Sequence, residues 1–153
     1  YEPCADISIR ASKLKGITLD PKLVPNLIDE MPVLFIAGAL AEGTTRIRGA
    51  QELRFKESDR LESMARTLTL FGAKHKIFED GIDIEGFGQS VNNPPFNSAE
   101  IDSYGDHRIA MAFGILSSVN PNNIDIDDER IADVSFPGFW SVIEDLVGGV
   151  GRA

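Results

Sequence analysis

Two short runs in this sequence set cations where a helix is expected to begin. In the first, Asp106-His107-Arg108 precedes the apolar stretch Ile109 to Phe113. Asp106 suits an N-cap, because a carboxylate can accept from the free backbone N–H groups of a first turn. His107 and Arg108 then fall inside that turn, where the helix dipole disfavours positive charge. An arginine beside a buried run is costly unless it meets an anion, and a helix N-terminus offers N–H groups to the same anion. The alternatives are an anion-binding site and a plain surface turn. The second run is Arg54-Phe55-Lys56-Glu57-Ser58-Asp59-Arg60. Lys56 and Arg60 stand four apart and Glu57 and Arg60 three apart, so these side chains can gather at one helix start. Alone this could be an ordinary Glu–Arg pair worth tenths of a kcal/mol. A second helix start with cations in the same unfavourable place favours recognition of a small anion, and predicts that Arg60 and Arg108 face one cleft. Asp29, before Glu30-Met31-Pro32, reads as an N-cap that needs no further role.

Other residue types point to no further chemistry. No His/Cys/Asp/Glu spacing resembles a metal site, and His107 is a lone histidine. His75 reads as structural, on a solvated strand face. Gly86-Phe87-Gly88 lacks the strand–turn–helix context of a nucleotide loop. No cofactor is expected.

The elements that must position these residues follow from periodicity and turn chemistry. Asp6 to Arg10 alternates like a strand already in progress, and Tyr1 is not a start methionine, so the chain reads as a piece of something longer. Ala11 to Gly16 reads as a loop. Pro21, Pro25 and Pro32 punctuate the next stretch, and a helix runs from after Asp29 to Glu42, with Gly43 as its stop signal. Thr44 to Arg48 is a short strand. Glu57 to Phe71 is the clearest helix, with Leu61, Met64, Ala65, Leu68 and Phe71 on one face. Lys74 to Phe78 and Ile82 to Glu85 form a hairpin about Asp80-Gly81. Gly86 to Asn97 is a loop. A brief strand at Glu100-Ile101 follows, then a helix from Asp106 to about Ser118. A strand from Ile124 to Asp127 and a last helix from Gly138 to Val147 complete the chain. The order is β-α-β-α-β-β, then β-α-β-α. This is an α/β (α+β) pattern of a repeated module, about 5–86 and about 98–150, in a single partial domain with sheets packed around helices.

Composition narrows the classes. The chain has 153 residues, 42% hydrophobic and 25% charged, which is globular rather than disordered. The longest charge-free apolar run, Met31 to Ala41, is 11 residues, short of the roughly 20 that span a bilayer. No signal peptide is visible, and the single Cys4 excludes an intramolecular disulfide; both fit a reducing, cytoplasmic setting. A net charge of −9 argues against nucleic acid as a partner. The charge is uneven. Arg46 to Arg66 holds six basic and four acidic residues, +2, which leaves −11 for the rest. Such a segment suits a small anionic ligand.

The run Glu52 to Arg60 resembles a signature of the 5-enolpyruvylshikimate-3-phosphate synthases (3-phosphoshikimate 1-carboxyvinyltransferases). Tyr104-Gly105-Asp106-His107-Arg108-Ile109-Ala110-Met111 resembles a second signature of that family. Asp29 to Thr45 and Ser135 to Phe139 match it too, so the resemblance covers essentially the whole chain, as the C-terminal third of a longer protein. It implies the two-domain enolpyruvyl transferase fold, an inside-out α/β barrel of repeated βαβαββ modules. It implies transfer of the enolpyruvyl group from phosphoenolpyruvate to the 5-hydroxyl of shikimate 3-phosphate, between this part and a missing N-terminal domain. In that scheme Asp29 matches the family's base and a shikimate-phosphate ligand. Glu57 matches a carboxyl group implicated in proton transfer at the methylene carbon, and Lys56 a residue near the shikimate ring. Arg60 and Arg108 match phosphoenolpyruvate ligands, and His107 a nearby site residue. Many members carry a phosphoenolpyruvate-binding lysine where this chain has Val134. The alternatives are the related transferase acting on UDP-N-acetylglucosamine and a non-catalytic anion-binding fragment.

Overall fold

A computed structural model describes residues 4–88, 99–119 and 124–150, with side chains to 147. The first helical stretch runs from Pro21 to Leu40 in four pieces. These are a 3-10 turn at Pro21–Leu23, helix α1 at Val24–Leu27, a second 3-10 turn at Ile28–Glu30, and helix α2 at Met31–Leu40. The helical stretch thus begins well before the expected start at Asp29. The three prolines do not interrupt it, because each sits in the first turn of a piece, where an N–H has no intrahelical partner to lose. Val24, Ile28, Met31, Phe35 and Ala39, spaced by three or four, are buried on one face. The stretch is 20 residues long and by length and composition apolar enough to cross a membrane. The count of charge-free residues missed this because Asp29 and Glu30 interrupt the run. Here α2 is packed against the sheet and a later helix.

Strands β1 (Glu42–Ile47), β2 (Lys74–Phe78) and β3 (Gly81–Phe87) form an antiparallel sheet in the order β1-β3-β2. Ile47 and Ile77 both pair with Ile82 on the inner face, while Arg46 and Lys76 flank Asp83 on the outer one. His75 pairs with Ile84 and is half-buried, so it lies on the inner rather than the solvated face; its Nδ1 is 3.0 Å from the Ala73 carbonyl oxygen. Gly86 allows the end of α2 to lie directly on β3: a Cβ there would stand 2.0 Å from the Ala41 oxygen.

The strand expected at Asp6 to Arg10 does not form. Ile7 and Ile9 are 84% and 87% exposed. Instead the segment from Leu14 to Leu19, read as loop in its first half, runs parallel beside β1. The Glu42 N–H donates to the Leu14 oxygen at 2.9 Å and the Leu19 N–H to the Arg46 oxygen at 2.9 Å. Alternation alone makes no strand; an edge to pair with decides it, and this edge is taken.

Helix α3 spans Arg60–Leu70 and buries Leu61, Met64, Ala65 and Leu68. It starts three residues later than the sequence suggests, because the Asp59 carboxylate accepts from the Glu62 N–H at 3.0 Å and serves as N-cap. Strands β4 (Ala99–Ile101) and β5 (Ile124–Ile126) are parallel, and helix α4 (His107–Val119) lies between them in the chain. Phe113 of α4 stacks on Phe71 with ring centroids 5.4 Å apart, and one hydrophobic core joins both sheets. A 3-10 segment, Glu129–Val134, and helix α5 (Phe139–Val150) follow.

Candidate active site

The site residues converge where α2, α3 and α4 begin. Arg60, the first residue of α3, is 1% exposed. Three of its five N–H donors meet three different carboxylates. Nε donates to Asp106 Oδ2 at 2.7 Å, Nη1 to Asp29 Oδ1 at 2.9 Å, and Nη2 to Glu57 Oε2 at 2.6 Å. Burial works most strongly against charge on Arg60, but the Asp106 hydrogen bond and charge, with Asp29 and Glu57, outweigh it and hold the group more firmly protonated than a free arginine.

Asp29 is not an N-cap. It lies inside the Ile28–Glu30 turn, and its carboxylate faces Arg60 and Lys56 Nζ, the latter at 3.5 Å. Burial is the largest influence on it and favours the neutral form. The Arg60 hydrogen bond and the charges of Lys56, Arg60 and Arg108 together prevail and lower its pKa. Lys56 is held charged chiefly by its bond to Glu52 at 2.9 Å, with Asp29 adding to it. Glu57 precedes α3 with its side chain 48% exposed, so it is tethered by Arg60 yet open to solvent.

At the start of α4, His107 is half-buried, with no hydrogen bond or ion pair among the described residues. Arg108 Nη1 reaches Glu30 Oε1 at 2.7 Å. Arg108, Asp29 and Glu30 form the polar end of a cavity of about 320 Å³, whose other walls include Met111 and Ile115 of α4 and Ser135, Phe136 and Phe139. Val134 lies beside Ser135 and is 75% exposed. Arg60 does not line this cavity. The two arginines, expected to face one cleft, are instead joined through Asp106, and only Arg108 lines the cavity. Asp106 Oδ2 holds Arg60, and Asp106 Oδ1 accepts from the Arg108 backbone N–H at 2.9 Å.

The basic segment also differs from expectation. Arg48 pairs with Asp83 and lies 3.8 Å from the Phe78 ring centroid. Arg54 pairs with Asp59 and donates to the Phe78 and Glu79 carbonyls; Arg66 pairs with Glu62. Only Arg46 of the six has no ion pair among the described residues. Within the site, Lys56, Arg60 and Arg108 face Asp29, Glu30, Glu52, Glu57 and Asp106, three positive against five negative, or −2. Among the described residues no group of three or more His, Cys, Asp or Glu side chains could hold a metal ion. Sequence reasoning missed Glu30 and Ser58 and took Asp106 for a cap alone. No spacing rule links positions 31 or 46 residues apart, as Asp29–Arg60 and Arg60–Asp106 are. Glu52, four residues before Lys56, was within reach of the helix-spacing rule.

Comparison with known proteins bears on this arrangement. Residues 2–143 match the sequence profile described as EPSP synthase (3-phosphoshikimate 1-carboxyvinyltransferase). A 3-phosphoshikimate 1-carboxyvinyltransferase of Salinibacter ruber is 49% identical over 91% of this chain and 31% of its own length. One from Synechocystis is 44% identical over 97% of this chain and 32% of its own length. A solved EPSP synthase from Acinetobacter baumannii superposes with a TM-score of 0.81 at 43% identity, over 88% of this chain and 30% of that one. This is the enolpyruvyl transferase fold, mixed helix and sheet, and this chain spans about a third of the length of its relatives. With matches over nearly all its residues, the chain belongs to the EPSP synthase (3-phosphoshikimate 1-carboxyvinyltransferase) family.

Proposed function

We propose that the complete protein transfers the enolpyruvyl group of phosphoenolpyruvate to the 5-hydroxyl of shikimate 3-phosphate, and that this chain supplies one wall of the active site. The observation that carries this reading is the pair of carboxyl groups, Asp29 and Glu57, held on the two Nη atoms of one guanidinium. A rigid fork fixes their separation, and both remain about half exposed. The addition step needs a group that takes the hydroxyl proton and a group that protonates the methylene carbon. Asp29, held ionised by its cations, takes the proton as the 5-oxygen bonds to C2 of phosphoenolpyruvate. Glu57 delivers a proton to C3. In the elimination, the C2–O bond to phosphate breaks, Glu57 takes back a methyl proton as the double bond returns, and the proton held by Asp29 leaves with the phosphate. Lys56 and Arg108 hold anionic groups of the substrates, and Arg60 keeps the two carboxyl groups in place.

The test is phosphate release by the complete protein. Release that requires both phosphoenolpyruvate and shikimate 3-phosphate supports the reading; release with UDP-N-acetylglucosamine instead overturns the choice of acceptor. Glu57→Gln is expected to slow turnover far more than it raises KM. Near-normal turnover in that variant removes Glu57 from the mechanism.

A further inference from the structure

Asp106 is the one carboxylate of the cluster with no exposure at all. The side chains of Asp29, Glu30, Glu52 and Glu57 are between 48% and 62% exposed, and that of Asp106 is 0%. Burying a carboxylate is costly unless its oxygens are fully engaged. Here Oδ1 accepts from the Arg108 N–H at 2.9 Å, and Oδ2 accepts from Arg60 Nε at 2.7 Å and from Ser58 Oγ at 3.1 Å. An N-cap needs only the first of these bonds. The second oxygen is committed to another helix.

We infer that Asp106 is a positioning residue for the site, joining the starts of α3 and α4 so that Arg60 and Arg108 keep a fixed relation. Holding Nε fixes the rotation of the guanidinium plane. Nη1 and Nη2 must then point at Asp29 and Glu57, while the same carboxylate anchors the backbone from which Arg108 extends. Ser58, in the turn before α3, donates to the oxygen that holds Arg60 and limits its movement. Asp106 touches no substrate in this scheme; it acts through Arg60 and Arg108.

The inference extends the proposed transferase reading, and one of its two measurements is independent of activity. In the complete protein, hydrogen exchange at Arg60 Nε–H, followed by nitrogen-15 NMR, is expected to be at least tenfold slower than at Arg130, whose side chain is 89% exposed. Equal exchange in the unmodified protein overturns the inference even if no variant folds. Asp106→Asn keeps the side-chain volume and a capping oxygen for Arg108 but not an acceptor for every donor. It is expected to speed Arg60 Nε–H exchange at least tenfold and to raise KM for phosphoenolpyruvate at least tenfold. Asp59→Ala removes the cap of α3 and the Arg54 ion pair without touching Arg60 and is expected to lower stability with KM unchanged. If Asp106→Asn behaves like Asp59→Ala in both exchange and KM, Asp106 is a cap and the inference is wrong. Absence of turnover in the unmodified protein would overturn the transferase reading, while the exchange data still decide the role of Asp106.

Discussion

Replacing Arg60 with Met tests whether the buried guanidinium holds the site together. Its side chain is 2% exposed, and that of Asp106 is 0% exposed. Without Arg60, the Asp106 carboxylate keeps only the Ser58 hydroxyl and one backbone N–H. Removing one partner of a buried ion pair costs about 3–5 kcal/mol, because the other charge stays buried and uncompensated. Asp29 and Glu57 are half exposed and return to water, so their lost pairing adds little. For a chain of this size, 1 kcal/mol moves Tm by roughly 2–4 °C, so Arg60→Met should lower Tm by about 6–20 °C. The partner variant decides the cause. In Arg60→Met with Asp106→Leu, apolar side chains replace the whole pair, which is often neutral. Only the lost cap of α4, about 1 kcal/mol, should remain. Guanidinium unfolding of the two single variants and the double variant gives the coupling energy, expected to exceed about 2 kcal/mol. A single-variant cost below about 1 kcal/mol, or strictly additive effects, would refute the reasoning.

Asp29 has a lowered pKa in the folded chain, so its stabilising contribution is present above its ordinary value of 3.8 and fades as pH falls through the lower folded value. The stability gap between the protein and Asp29→Asn should therefore be constant from pH 7 to 5 and close below pH 3.8, as read by denaturant midpoints; a gap unaffected by pH argues against the pairing. Gly86→Ala forces a Cβ against the backbone of Ala41 and Gly38 and should cost at least about 1–3 kcal/mol. Gly43→Ala meets no neighbour, and only its φ of +89° costs it, about 1–2 kcal/mol; a loss at Gly86 below about 1 kcal/mol would contradict the close approach of α2 to β3. The 153-residue chain alone should unfold cooperatively yet release no phosphate from phosphoenolpyruvate plus shikimate 3-phosphate, and any measurable turnover defeats the reading of one wall of a shared cleft.

Local structure was legible wherever local rules decide it. The Lys74–Phe78 strand and its hairpin partner followed from alternation about Asp80-Gly81, and the α3 face followed from Leu61, Met64 and Leu68. Boundaries failed where a side chain chose between caps: Asp59 rather than a residue before Glu57 opens α3. The strand at Asp6 to Arg10 failed because pairing is non-local. Nothing in Ile7 and Ile9 reveals that the β1 edge is taken by residues 14–19. The candidate site was legible as residue types at helix starts, since dipole and cation conflict there. Its wiring was not legible, because Arg60 draws its partners from positions 29, 57 and 106. Cations that seemed to await an outside anion are met by carboxylates of the same chain.

That pairing has a consequence for how anionic substrates could be held. With three cations against five carboxylates, this wall does not by itself attract multiply charged phosphates. Arg60 is enclosed, and Arg108 is shared with Glu30. Val134, exposed beside Ser135 of the cavity wall, adds no charge there. In the proposed transfer, Lys56 and Arg108 contact anionic groups of the substrates, and the remaining attraction comes from cations on a surface facing this one. In the proposed transfer Asp29 and Glu57 handle the protons, and that work is separate from gathering the phosphates. On this division, the proposed wall taken alone holds two carboxyl groups for proton transfer without the means to gather substrates. Approach of a basic surface would supply that means and exclude water from Asp29 and Glu57 in the same motion.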